Sequence, residues 1–488
     1  QAITIQAAPY TTKINVDRDL GIFAQDKWTT GHWTLAAGVR YDNFKNSFPP
    51  QSLGPTLFTP NRNISFDTIE NINWKDITPK LGATWDVRGN GKTALKVTLN
   101  KYLLGYGTFA FGENGLSSDP NPINRLVNNV TRGWHDDNGD KVPNCNLQNF
   151  AANGECNAIT DPTFGTVVPG TSYDPNLMTG WGKRQYNWEF SAGVQQELAA
   201  RTSVEISFFR RWYGNFQTMD SRAFKTSDFT PYTFTVPKDP NLPNGGGYSL
   251  TAYDLNFPQI FSPPDNFVTL ADNYGKQTEH WNGVDITATS RMRNGLILQG
   301  GVSTGRRVQD DCDVVSKLPE TLHQFLGSNT ILPFFAARPL QMCHQDDGFT
   351  TQIKGLGSYL IPKADVMVSA TLQSLPGYNV VANYLEFDNG TLGHPFGSSL
   401  IVPFSTYQIV QDGTAYGDRL NQLDFRVSKV FKFSKTRTLI NFDFFNVMNA
   451  NPVLTENQTY SPFPPNPWRT PQSILQARFF KFGVQFDF

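Results

Sequence analysis

A chain of 488 residues with 39% hydrophobic residues and a mean hydropathy of -0.38 can build one large unit or several small ones, and it has no stretch able to cross a membrane as a helix of about 20 residues. Its formal charge of -1 gives no polybasic surface, so a nucleic-acid partner is disfavoured. Aromatic content is high at 13%, with 38 phenylalanines. Such content is expected where aromatic girdles meet two membrane interfaces, and half-polar strands escape a hydropathy window.

The opening residues, Gln1-Ala-Ile-Thr-Ile-Gln, have no basic segment followed by an apolar one, so they are not expected to be a secretory signal. The chain is expected to be a processed product or the later part of a longer protein. The first strand is predicted near Leu20 to Trp28. After a short turn, Trp33, Leu35, Ala37, Val39 and Tyr41 alternate with Thr34, Ala36, Gly38, Arg40 and Asp42. Leu81, Ala83, Trp85 and Val87 then alternate with Lys80, Gly82, Thr84 and Asp86. Gly89-Asn90-Gly91 turns the chain back into Leu95, Val97 and Leu99, which oppose Lys96, Thr98 and Asn100.

The next long connection carries the first candidate sites. Asp136, Asn138 and Asp140 stand at alternate positions, as in the first half of an oxygen-rich calcium loop. Lys141 occupies the position where an EF-hand needs glycine, and no bidentate glutamate follows, so a solvated Asx-rich turn fits the same residues. No cofactor is required, and calcium is the one possible ion. Cys145 and Cys156 form a local pair in an Asn- and Gly-rich stretch, as do Cys312 and Cys343 further on. Oxidised loop staples suit them better than metal ligation, which places the chain in an oxidising compartment. Trp134, Trp181, Trp281 and Trp468, with Tyr248 and Tyr253, are aromatic groups in or near long connections. They could stack on a ring-shaped ligand, or, for Trp181 and Trp281 at strand ends, mark an aromatic girdle. Asp310, Asp311, Asp313, Asp346 and Asp347 gather around Cys312 and Cys343, where they could hold a cation or simply solvate a loop.

Further hairpins follow the same pattern. Trp188 to Val194 turns at residues 199–202 into Val204, Ile206 and Phe208, and Val284 to Ala288 turns at Arg293-Asn-Gly295 into Leu296, Leu298 and Val302. Residues 351–361 turn at Pro362-Lys363 into Val366 to Leu372. Leu423, Phe425 and Val427 turn near Ser434-Lys435 into Ile440, Phe442 and Phe444. The chain ends on Phe480, Phe482, Val484, Phe486 and Phe488, one unbroken apolar stripe opposed by Lys481, Gly483, Gln485 and Asp487. Arg40, Lys96, Glu205, Asp285, Arg426 and Asp443 all fall on the polar face.

Six hairpins and a final strand make about thirteen strands. Ten residues at about 3.3 Å each and a tilt near 45° rise roughly 23 Å, close to the apolar band of a membrane barrel. Connections alternate strictly between short turns and long segments, near 44–75, 103–185, 213–278, 305–350, 375–418 and 448–474. An all-β, transmembrane antiparallel barrel accounts for this alternation, with its long loops at the cell surface and its C-terminus in the periplasm. Residues 1–19 are then the end of an extracellular loop, and residues 20–488 the C-terminal portion of the barrel. Thirteen is odd, whereas bacterial single-chain barrels have an even number of strands. The described strands are therefore expected to be part of a larger wall.

Asp19-Leu-Gly-Ile-Phe-Ala-Gln-Asp-Lys-Trp28, Trp33 to Asp42, Pro79-Lys-Leu-Gly-Ala-Thr-Trp85 and Asn441-Phe-Asp-Phe-Phe-Asn-Val-Met-Asn449 resemble the barrel of TonB-dependent outer-membrane receptors, above all the Oar-like group. The terminal stripe resembles the C-terminal signal read by the barrel assembly machinery. The resemblance implies a 22-stranded barrel in the bacterial outer membrane, surrounded by lipid, with an N-terminal plug that contacts TonB. The plug and the first nine strands would be a missing N-terminal part of the same protein. The function implied is energised uptake of a scarce or large solute, with no covalent chemistry. No nucleophile elbow, phosphate loop or zinc spacing points to an enzyme. Two rivals stay open: a structural or adhesive surface protein that displays disulfide-stapled loops, and a soluble all-β carbohydrate-binding or hydrolytic domain.

Overall fold

The structure, a computed structural model, describes all residues except 107–115, 117, 256–264, 323–337, 388–403, 434–435, 461–466 and 488. Thirteen strands form one antiparallel path: β1 (Asn15–Thr30), β2 (Trp33–Phe48), β3 (Ile69–Asp86), β4 (Thr93–Leu103), β5 (Tyr186–Ala199), β6 (Thr202–Gly214), β7 (Thr278–Arg291), β8 (Leu296–Asp310), β9 (Thr350–Ile361), β10 (Val366–Leu375), β11 (Leu420–Phe433), β12 (Thr436–Phe445) and β13 (Phe479–Asp487). Each strand pairs with its sequence neighbours in this set, as in the wall of a transmembrane antiparallel β-barrel. No helix among the described residues is long and apolar enough to cross a membrane, which says nothing of strands.

Register places like with like. Leu35 pairs with Ala83, and Ala83 with Val97. Phe442 pairs with Phe482 and Phe444 with Phe480, so columns of apolar side chains run across strands on one face. The opposite face carries the polar set: Lys96 reaches Glu205 at 3.1 Å, Arg426 pairs with Asp443, and Ser303 donates to Asp285 at 2.5 Å. Lys96 and Glu205 sit on β4 and β6 and meet across Gly193 of β5, which leaves room between them. The apolar stripes remain open, with Phe480 66% and Phe482 68% exposed. The terminal stripe is described through Phe486; Phe488 and the turn at Ser434-Lys435 lie outside the described residues.

The short turns follow from backbone chemistry. Gly31 supplies the left-handed conformation in the two-residue turn between β1 and β2, with φ +53°. Trp33 and Trp85 stack beside it at 5.4 Å, an aromatic pair at the short-turn end. Trp188 and Trp212 stack at 6.3 Å towards the other end of the same face.

Several strands run well beyond ten residues: β1 and β2 have 16 each and β3 has 18. Their pairing continues past the apolar band because the far end of β2 is covered by the long connections. Asn43, Phe44, Asn46 and Phe48 are each no more than 2% exposed. The long connections are themselves folded. Ala2–Gln6 pairs with Asn129–Trp134, Phe229–Thr235 with Ser249–Leu255, and Asn383–Phe387 with both Phe404–Gln408 and Thr459–Tyr460.

Candidate functional site

The largest buried apolar cluster lies in the connections, not in the wall. Tyr232, Phe234, Val236, Leu242, Leu250 and Ala252 come from the connection between β6 and β7, and Met342 from that between β8 and β9. Ala382, Tyr384, Tyr407, Ile409 and Val410 come from the one between β10 and β11, and Tyr460 and Trp468 from the last connection pack against the group. Four connections therefore share one core. Polar ties fix them together: Tyr248 donates to the Ile409 carbonyl at 2.5 Å, Trp468 Nε1 to the Val381 carbonyl at 2.9 Å, and the Tyr232 and Tyr407 hydroxyls bond to each other.

Beside this core is a cavity of about 510 Å³, lined by residues from three connections. Asp239 and Asn241 come from the first, Tyr378 and Asp418 from the second, and Glu456, Tyr460, Trp468 and Arg469 from the third. Glu456 is buried and only 6% exposed. Its Oε2 accepts from the Tyr378 hydroxyl at 2.5 Å and meets Arg469 Nε at 3.3 Å, while Oε1 has no partner among the described residues. Arg469 holds a left-handed backbone, φ +65°, which is uncommon for a long side chain. Tyr460 donates to Asp239 at 3.0 Å and stacks edge-on to Trp468 at 5.2 Å. Burial, then the Asp239 carboxylate, push the Tyr460 hydroxyl up to about 12, so it remains a proton donor at neutral pH. Burial and the Glu456 carboxylate likewise raise Tyr378. The arrangement offers carboxylate acceptors, an amide and aromatic rings, without a nucleophile–base pair.

The predicted site residues fall in different places. Asp136, Asn138 and Asp140 share one turn, but their oxygens serve its own backbone. Asp136 accepts from Gly139 N and Lys141 N, Asn138 from Asp140 N, and Asp140 from Val142 N, all at 2.8 to 3.0 Å. Hydrogen bonds from Asn144 and the Val142 amide hold the Asp140 carboxyl below its ordinary range. This is the Asx-turn geometry. Cys145 bonds to Cys156 and Cys312 to Cys343, with Cα separations of 5.8 and 4.9 Å. By chain entropy the two closures contribute about 3 and about 4 kcal/mol to the order of their connections.

The five aspartates near the second disulfide do not converge. Asp310 bonds His344 at 2.8 Å, Asp311 pairs with Arg338 at 2.6 Å, and Asp346 with Arg306. Among the described residues no group of three or more metal-ligating side chains occurs.

Of the other candidate tryptophans, Trp134 is 5% exposed and has no free ring to offer a ligand. Trp181 is 57% exposed and tilts against Tyr41 at 5.7 Å, on the apolar face, as a girdle residue would. Trp281 is paired with Arg211 and Arg307 and shares a face with Asp285, so it is not part of that girdle. Its ring lies over Gly283 and Gly305, where any added Cβ would collide with it. Trp468 stands out in the sequence as a loop aromatic, whereas Glu456, Arg469, Tyr378 and Asp239 carry no local signal there. The alternation of Tyr232, Phe234 and Val236 with Thr233 and Thr235 was the signal for the shared core.

No known family pattern matches the sequence, and neither does any curated protein. Solved structures do resemble the fold. The ferric-catecholate import receptor Fiu of Escherichia coli is 10% identical, with 96% of this chain and 44% of that one covered, at a TM-score of 0.42. The outer membrane transporter YddB of Escherichia coli is 10% identical over 96% and 53%, at 0.41. The FrpB iron transporter of Neisseria meningitidis is 11% identical over 96% and 45%, at 0.42. The chain thus spans about half the length of these proteins. At such identities and scores no property passes from them to this chain.

Proposed function

We propose that this chain forms part of the barrel wall and the surface loops of a bacterial outer-membrane receptor of the TonB-dependent, Oar-like kind, which takes up a scarce or large solute. The observation that carries the reading is the thirteen-strand antiparallel path with one apolar, open face, capped at its long-connection end by a packed loop layer that holds a cavity. Lipid would cover the apolar face. The loop layer would bind solute, and a plug energised by TonB would admit it.

The outer strands β1 and β13 each pair on one side only among the described residues. An unpaired strand edge in hydrocarbon costs several kcal/mol per exposed backbone group, so further strands should close the wall. We assign that role to an N-terminal barrel part of the same protein, which would also carry the plug. Phe480, Phe482, Val484, Phe486 and Phe488 would present the terminal strand to the barrel assembly machinery. A second reading, a surface protein that only displays its loops, is favoured by the two disulfides in those loops.

Uptake separates the two. Cells with and without the intact gene are offered labelled solutes from several chemical classes, with and without a protonophore. The receptor reading predicts accumulation that needs both the gene and the energised membrane. Binding at the cell surface with no accumulation, unaffected by the protonophore, would support display.

A further inference from the structure

The loop cavity has an electrostatic character that narrows its ligand. Asp239, Asp418 and Glu456 face a single guanidinium, Arg469, which is already engaged by Glu456. Formal charge at the cavity is therefore -2. Asp418 is exposed at the rim, and its side chain makes no hydrogen bond among the described residues. Glu456 is the sharper feature, because a buried carboxylate oxygen without a donor costs about 1–3 kcal/mol. That oxygen has almost no accessible surface, so a ligand donor recovers the cost when the Glu456 carboxylate turns towards the cavity it lines. Arg469 cannot donate to both oxygens from its present position: it reaches only Oε2, alongside the Tyr378 hydroxyl.

Tyr460, Trp468 and Tyr378 give the cavity flat apolar surface, and Asn241 adds an amide. Aromatic faces with carboxylate acceptors suit a ring that carries several hydroxyl or amino groups. An anionic solute would meet net repulsion and would leave Glu456 Oε1 unsatisfied. A cationic ring would be concentrated by the local field and could donate N–H to Glu456 and Asp418.

We propose that this cavity binds a hydroxylated, amine-bearing ring of the amino-sugar type, with Glu456 and Asp418 as the acceptors for its ammonium and hydroxyl groups and Trp468 and Tyr460 as the aromatic surface. It rests on the receptor reading only in taking the long-connection end as the side that meets solute. Binding itself is measured without import.

The test uses three rings that differ in charge: glucosamine, glucose and glucuronate, titrated into the intact protein in a detergent without a sugar headgroup. Tryptophan fluorescence and saturation-transfer NMR report binding. Glucosamine should bind at least about tenfold tighter than glucuronate, with glucose between them. Asp418→Asn, at the exposed rim, should reduce the preference for glucosamine several-fold, and Glu456→Gln should abolish most of it. Thermal melting shows whether each variant is folded. Equal or tighter binding of glucuronate would overturn the proposal, as would absence of saturable binding of all three, or an unchanged preference in a folded Asp418→Asn protein. Amino-sugar binding without energised accumulation would instead count against the receptor reading alone.

Discussion

The wall and the loop layer use the same aromatic and aliphatic residues in opposite ways. In β13 Phe480 and Phe482 stand two-thirds exposed, and Ile22 of β1 is 59% exposed. In the loop layer Phe234 is 2% exposed and Ile409 1%. The wall is held by backbone pairing and waits for an apolar solvent, whereas the loop layer makes its own dry core and adds two disulfides. Substitutions should therefore have consequences set by region more than by residue type.

The largest effect is expected in the loop core. Phe234→Ala should cost about 3–5 kcal/mol locally, because it opens a cavity beneath four connections. Limited proteolysis should then cut the long connections while the wall strands stay protected. Equal loss of protection in both regions would show that they fold as one unit.

Next in size is a charge on the apolar face. Val97 is 44% exposed and lies near the middle of β4, so Val97→Arg should cost about 2–4 kcal/mol in a bilayer. Lys96→Ala, one residue away on the polar face, removes a half-exposed ion pair with Glu205 and should cost no more than about 1 kcal/mol. Reversal of that order would exchange the two faces.

A pH effect should also be confined to the loop layer. Burial raises the Glu320 carboxyl to about 7, although Ser221 N donates to it at 3.2 Å. Its folded-state value lies above the unfolded one, so its contribution is full below about pH 4.5 and is lost as pH rises through 7. Melting of the loop layer should fall between pH 5 and 8, and Glu320→Gln should flatten that slope. The smallest effect is expected from calcium. The oxygens of Asp136, Asn138 and Asp140 already accept backbone hydrogen bonds, so added calcium should leave the melting temperature unchanged. A rise of several degrees would assign the turn to the ion after all.

The same contrast explains what the sequence revealed. Eleven of the thirteen wall strands follow from period-two alternation, and β1 and β9 from the short turns after them, because each strand has one apolar and one polar face and the hairpins are local. Their lengths did not follow: the far ends of β2 and β3 are buried by connections that alternation cannot place. The cavity was hidden for a related reason. Asp239 and Tyr460 bond across 221 residues of chain, and Glu456 has no neighbour in sequence that marks it as buried. Trp134 misled because an aromatic group in a polar connection looks exposed until the connection acquires a core.

On the proposed reading, one face of the wall meets lipid and the other water. Spin labels placed singly at Leu95, Lys96, Val97, Thr98 and Leu99, in the full protein reconstituted in a bilayer, test it directly. Collision with oxygen should be high at 95, 97 and 99, and collision with a water-soluble nickel complex should be high at 96 and 98. If the nickel complex reaches all five positions equally, the apolar face is not in a membrane.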